Sequence, residues 1–347
     1  MPLPDPAPSM LPFWAATLMP VPLLVGAALW GGGWGLAAFG YMTVLSYALD
    51  ALIAGSGNAP EGAEFPAADA LSVTLALLHL ALLPLGVAAV AGATGLGGGE
   101  RVLAFAGFGL FFGQVSNSNA HELIHRGARW LHLLGAAVFV SLLFGHHVSA
   151  HRLVHHRHVA TAADPNSARA GEGFYRFALR AWAGSFREGL RAETALRARA
   201  DRRGLHPCAV QVGGALACLA GAALAFGLPG LLAWAGLAAH AQMQLLLSDY
   251  VQHYGLARRI SAGRAEPVGP AHSWDAPQPF SGWLMLHAPR HADHHLHPGR
   301  AWPGLRLDRE ATPMLPRSLP LMAALALVPP LWRRVMDPRL SRWQAAG

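Results

Sequence analysis

Lysine is absent from this 347-residue chain, which has only two cysteines and 13% charged residues against 53% hydrophobic ones. So little charge excludes an ordinary soluble domain of this length, which needs a larger polar surface. With a positive mean hydropathy, it leads to an integral membrane protein. The missing lysine partly reflects genome composition and carries no chemistry alone. A pI near 10.4 would suit nucleic acid, but the arginines form no single block and sit beside apolar spans. A basic surface facing a lipid bilayer is expected, and no nucleic acid. Cys208 and Cys218 share one apolar segment, about 15 Å apart along a helix and beyond disulfide reach. They exclude a disulfide framework and a thiolate metal site. The opening MPLPDPAPSM lacks a basic region, so a cleaved signal peptide is not expected. No repeat or separate soluble unit is evident, and 1–347 reads as one membrane-embedded domain.

A membrane helix needs about 20 mostly apolar residues. Segments of that kind lie at 12–30, 33–54, 70–93, 102–124, 206–227 and 229–251. A seventh, 131–148, sits between two histidine-rich stretches, which would fall on opposite faces if it crossed. No Lys or Arg precedes Arg101, and the other 25 arginines follow residue 125. With six crossings and 131–148 re-entrant, every arginine except Arg101 falls on the cytoplasmic side, the positive-inside pattern. The expected fold is therefore all-α, with about six transmembrane helices and the histidines at the cytoplasmic face. The stretch 173–203, apolar and basic at helical spacing, reads as an amphipathic surface helix. The short LPLMAALALVPPLW, with its Pro pair, is expected to pack on the bundle or the interface.

What the chain has in excess is histidine, 19 in all. HELIH carries His121 and His125 at i and i+4. HRLVHH carries His151 and His155 at the same spacing plus His156, and HADHH carries His291, His294 and His295 at i, i+3 and i+4. His253 in DYVQHYGL ends the last crossing. One such pair is weak, because it more often marks hydrogen-bonded core histidines. Nine imidazoles at one face would each need a separate hydrogen-bonding solution, and imidazole suits iron, zinc and copper. An ion rarely takes more than about six ligands, so two metals are expected, iron first and zinc second. His146, His147, His158, His272, His287 and His297 could support the ligands, as could Glu122, Asp249, Gln252 and Asp293. His79, His132, His206 and His240 lie outside the boxes and read as satisfied or interfacial. Tyr41, Met42, Phe108, Phe111 and Phe112 could line a channel, but core packing is the favoured reading.

The contexts NSNAHELIH, HRLVHHRHVATAADPNSAR, DYVQHYGL and RHADHHLHPGRAWPGLR resemble the membrane-bound alkane 1-monooxygenases, within the wider fatty acid desaturase and hydroxylase superfamily. LDALIAGSGNAPE and LALVPPLWRRVMDPRL extend the resemblance from about Leu49 to Leu340. It implies two non-haem iron ions held by the nine histidines, and O2-dependent hydroxylation of a terminal methyl to a primary alcohol. It also implies electrons from a separate rubredoxin (or ferredoxin) and its NAD(P)H-dependent reductase, in a bacterial inner membrane. An acyl desaturase or xylene-type methyl hydroxylase is the alternative within the superfamily, and a non-enzymatic membrane metal or haem protein the alternative outside it. The sequence departs from the family at Ala150, Val154, Asp249 and Gln252, beside ligand candidates rather than at them.

Overall fold

In the computed structural model, which describes residues 9–53, 55 and 57–346, the chain is almost entirely helical. Residues 1–8, expected to be retained, lie outside the described residues. The first three helices are α1 (Leu11–Leu29), α2 (Gly33–Leu52) and α3 (Pro66–Ala91), each long and apolar enough to cross a membrane. α4 (98–125) starts as Gly98–Phe111, passes through a π-helical turn at Phe112–Ser116, and ends in Asn117–His125. α5 (Arg129–Ser141) is shorter. α6 (147–158) is centred on another π turn, His151–His155. The amphipathic α7 (Phe174–Arg199) follows, then α8 (Pro207–His253), a fourth helix of membrane-crossing character.

α8 is two helices joined by a sharp bend. Gly227 has φ 64 and ψ −154, a region open essentially to glycine alone, and Pro229 then starts the second arm, where a missing N–H costs nothing. Both arms meet the end of α5. Gly145 packs on Gln211 and Gly214 on Val140, while Trp234 and Gln242 donate to the carbonyls of Ser141 and Leu142 at 2.7 and 2.8 Å. A straight helix could not bring positions 211 and 242 to one place, so the arms fold into a hairpin. Helices thus cover all six expected apolar segments, two of them within α8.

The segment 131–148 enters the bundle and leaves at the same end. His132 Nδ1 donates to Ile124 O at 2.8 Å, so α5 starts beside the end of α4. Ser141, at its far end, lies 2.9 Å from His79 Nε2, whose ring is edge-on to Phe112. Phe112 is about 20 Å down α4 from His125 at 1.5 Å per residue. The chain then reverses through Leu143, with φ 57, and rises until His151 reaches His121. That reversal lets HELIH and HRLVHH share a site.

Beyond α8 come a two-stranded ribbon, β1 (Ile260–Ser261) and β2 (Arg264–Ala265), and two short helices, α9 (Pro279–Leu284) and α10 (His291–Leu296). Then come α11 (Leu319–Ala326) and α12 (Pro329–Ala346). Trp332 of α12 is fully buried, with its ring 5.2 Å from those of Tyr250 and Tyr254. The expected packing of this apolar stretch on the bundle is what the structure has. Phe108, Phe111, Phe112 and Met42 are buried in the main core, as packing rather than channel residues.

Because Gly227 occupies a glycine-only conformation, Gly227→Ala is expected to destabilise the protein by about 1–3 kcal/mol. Thermal unfolding in detergent should show this as a melting point several degrees lower. An unchanged melting point would mean that the bend does not depend on glycine.

Candidate metal centre

The nine histidines of the four motifs converge in two adjoining groups. His121, His125, His151, His156 and His294 form one, and His155, His253, His291 and His295 the other. Within each group, one ring nitrogen per residue lies within 4.8 Å of all the rest. In the first, the Nε2 atom of His151 is 2.8 Å from that of His121 and 2.9 Å from that of His156, which is 3.1 Å from that of His294. In the second, His291 Nε2 lies 3.1 Å from the Nε2 atoms of both His253 and His295.

The π turn explains the division. At α-helical spacing His151 and His155 would share a face, as the sequence suggested. The wider turn over His151–His155 instead brings residues five apart into line, so His151 pairs with His156 and His155 turns to the second group. π turns of this kind recur at functional sites. α10 divides similarly, giving His294 to one group and His291 and His295 to the other.

These contacts cannot all be hydrogen bonds. A neutral imidazole has one N–H and one lone pair. His253 Nδ1 faces the carbonyl of His272 at 3.3 Å, and His155 Nδ1 faces Asp164 Oδ2 at 2.8 Å. Both acceptors take the proton on Nδ1 and leave a lone pair on Nε2. His291 Nε2 would then have to donate to His253 and His295 at once, and it has one hydrogen to give. Among the described residues His155 Nε2 is buried without a partner. Inward lone pairs around a common point are the donor set of a cation, and all-nitrogen coordination suits iron, zinc or copper rather than magnesium or calcium. The residues therefore fit a pair of transition-metal ions.

Burial, reinforced by neighbouring imidazoles, holds His151, His156, His291, His294 and His295 well below the ordinary histidine range. They are neutral at pH 7, the state a metal requires. His155 goes the other way. Burial would lower it, but the charge and hydrogen bond of Asp164, with Asp249 beyond, raise it.

The support around the groups differs from the expected set. Asp164 was not singled out, though it stands in the quoted ADPNSAR context. Its Oδ2 accepts from Ser167 Oγ at 2.6 Å as well as from His155, and its Oδ1 accepts from the Asn166 N–H at 3.0 Å. Asn166 donates onward to Asp249 at 2.7 Å. Asp275 was also missed, since nothing near it in sequence marks it. It is fully buried, its Oδ1 accepts from Ala292 N at 2.9 Å, and burial pushes its carboxyl up to about 8. Of the carboxylates named from sequence, Glu122 faces Arg126 at 3.5 Å, and Asp293 takes His297 at 2.9 Å and Arg300 at 2.5 Å. Gln252 donates to Ala288 O at 3.0 Å. None of these three bonds a ligand candidate directly.

The remaining histidines separate cleanly. His147 stacks on His151 at 5.0 Å, His272 bonds Glu266 at 3.2 Å, and His287 Nδ1 donates to Trp302 O at 3.2 Å. His146 lies 3.3 Å from Ser185 Oγ, and His158 is exposed. His206 caps α8 by accepting from Cys208 N, and His240 stacks on Phe105 at 5.4 Å. At the positions that depart from the family, Ala150 lies so close to Gly189 of α7 that a methyl group on that glycine would crowd it, and Val154 is buried. A cavity of about 200 Å³ runs from His121, His151 and His291 between α4, the second arm of α8 and α11.

Comparison with known proteins accords with this geometry. A family model described as fatty acid desaturase matches residues 101–325. The alkane 1-monooxygenase of Pseudomonas putida is 31% identical over 95% of this chain and 84% of its own length. Alkane 1-monooxygenase 1 of Pseudomonas aeruginosa is 35% identical over 68% of this chain and 63% of its own. The xylene/toluene monooxygenase hydroxylase component of Pseudomonas putida is 29% identical over 65% and 60%.

The depressed histidines give the metal-free protein a defined pH response. At pH 7 they are neutral whether folded or unfolded. Below about 6.5 the unfolded chain binds protons that the folded one refuses, so stability falls as pH falls. His155, raised by Asp164, and Asp275, whose buried carboxyl takes up a proton below about 8, oppose this, but they are two groups against the five histidines. Chelator-treated protein should therefore melt at a lower temperature at pH 5 than at pH 7.5, and the reverse order would contradict the burial of neutral imidazoles.

Proposed function

The chain belongs to the fatty acid desaturase family and, within it, to the alkane 1-monooxygenases, and from that premise we propose that it hydroxylates the terminal methyl of an alkyl chain. The overall reaction consumes the alkyl compound, O2, two electrons and two protons, and yields a primary alcohol and water. The observation that carries this reading is the pair of convergent imidazole groups at the end of an apolar cavity.

A terminal C–H bond has no acidic proton, so side-chain acid–base chemistry cannot break it. Two iron ions, held by the five-histidine and four-histidine groups, would supply O2 reduction and C–H oxidation at this site. The chain's own residues do the rest. Asp164 and the His272 carbonyl fix two imidazoles through Nδ1, and such outer contacts hold ligands in orientation. Leu110, Met243, Leu245 and Ala323 line the cavity, where they would hold the alkyl chain and keep water from the oxidised carbon.

Electrons must come from another chain, because Cys208 and Cys218 are lone thiols within α8 and cannot form a four-thiolate iron site. A rubredoxin or ferredoxin, with its NAD(P)H-dependent reductase, fills that role in this reading. Long apolar helices and the distribution of arginine support a multi-pass protein of the bacterial inner membrane, with the histidines towards the cytoplasm.

With a supplied rubredoxin and reductase, membranes containing the protein should convert one or more alkanes between octane and hexadecane to the 1-alkanol. His294→Ala should lower the rate at least 100-fold while the protein stays in the membrane fraction. A new double bond, or an aryl alcohol from xylene with no alkanol from any alkane, would overturn the assignment.

A further inference from the structure

The cavity is mostly apolar, but several of its walls carry polar side chains, and these fall into two kinds. Asn117 donates to Ala241 O, Ser118 to Gln114 O, Gln244 to Gly109 O, and Ser248 to Gln252, all at 2.7–2.8 Å. Gln114 and His240 line the same cavity, and among the described residues their side chains make no hydrogen bond. Gln114 is 7% exposed, and its Oε1, like His240 Nδ1, is buried and unpartnered.

The setting makes this costly. An unpartnered buried amide costs about 1–3 kcal/mol, and at membrane depth bulk water cannot relieve it. Gln114 lies seven residues before His121 on α4, about 10 Å from it along the axis. His240 lies thirteen residues before His253 on α8, about 20 Å away. His240 is also built in. It lies against Gly109, where no methyl group would fit, just as Gln244 lies against Gly113, and Phe105 stacks on its other side. Nδ1 faces the Gly109 backbone, so the neutral ring is left with its Nε2–H to offer.

We propose that the cavity takes an alkyl chain bearing an uncharged hydrogen-bonding group, a hydroxyl or an ester, and that Gln114 and His240 receive that group while the far methyl faces the histidines. This rests on the terminal-hydroxylation reading above and narrows its substrate class. A carboxylate is disfavoured, because among the described residues no arginine lines the cavity and Asp249 does. The 10–20 Å between these residues and the ligand candidates suits a chain of about eight to fourteen carbons, each adding somewhat less than a C–C bond length of ~1.5 Å.

The test separates binding from turnover. Equilibrium binding of radiolabelled 1-dodecanol, methyl dodecanoate and dodecane is measured on the purified full-length protein in detergent, together with product formation from each in the reconstituted system. The expected result is that dodecanol or the ester binds at least tenfold more tightly than dodecane and gives the terminally hydroxylated product. Gln114→Leu and His240→Phe should each cut that preference at least threefold without weakening dodecane binding. Dodecane binding as tightly as the other two to the wild-type protein would overturn the proposal, whatever the variants do, and would mean that cavity water satisfies Gln114 and His240. Failure to oxidise any of the three, with the binding preference intact, would instead count against the hydroxylase reading and leave the polar subsite standing.

Discussion

Nine imidazoles with lone pairs directed inward at about 3 Å are mutually repulsive unless a cation stands among them. That constraint organises the rest of the molecule. The groups draw on four separate stretches of chain, the end of α4, α6, the end of α8 and α10, and a fifth, the loop at Asp164, orients His155. The re-entrant segment, the π turn of α6 and the sharp bend in α8 each move a histidine to the same end of the bundle. Without cations the arrangement would have to be held entirely by surrounding packing, and the buried Asp164–His155 pair is one of the few direct polar supports.

Much of this was legible from sequence, and the reasons are specific. Helical spacing is enough to aim the two histidines of HELIH at one point, and His291 and His295 of HADHH at another, and hydropathy locates the apolar helices. The arginine distribution demanded that 131–148 turn back, because HELIH and HRLVHH had to meet. The division of ligands was not legible, since a π turn over His151–His155 has no compositional mark and reverses which neighbour His151 joins. Asp164 could have been found from its place in an Asp-Pro-Asn-Ser turn shortly after the second box. Asp275 could not, because only the tertiary fold brings it beneath α10. The departures at Ala150 and Val154 are packing features, and the contact of Ala150 with Gly189 lets α7 lie directly on α6.

The second tension in the molecule lies between an apolar cavity and the polar groups left in its wall. In a bundle whose helices associate through small residues and interhelical hydrogen bonds, Asn117 and Gln244 tie α4 to α8, while Ser248 bonds Gln252 within its own helix. Gln114 and His240 do not, and their cost falls on the part of the cavity remote from the histidines. The same helix pair, α4 and the second arm of α8, thus carries ligand candidates at one end and uncommitted hydrogen-bonding capacity along its length. Site and selectivity would then be set by a single helical register.

In the proposed function the two imidazole groups would each hold one iron. The most direct test is elemental analysis of the purified full-length protein, expressed with iron supplied and washed free of loosely bound metal. Two irons per chain are expected, falling to about one when His155 and His291, both in the four-histidine group, are replaced together by alanine. No bound metal, or a single ion that the double replacement leaves in place, would contradict this reading.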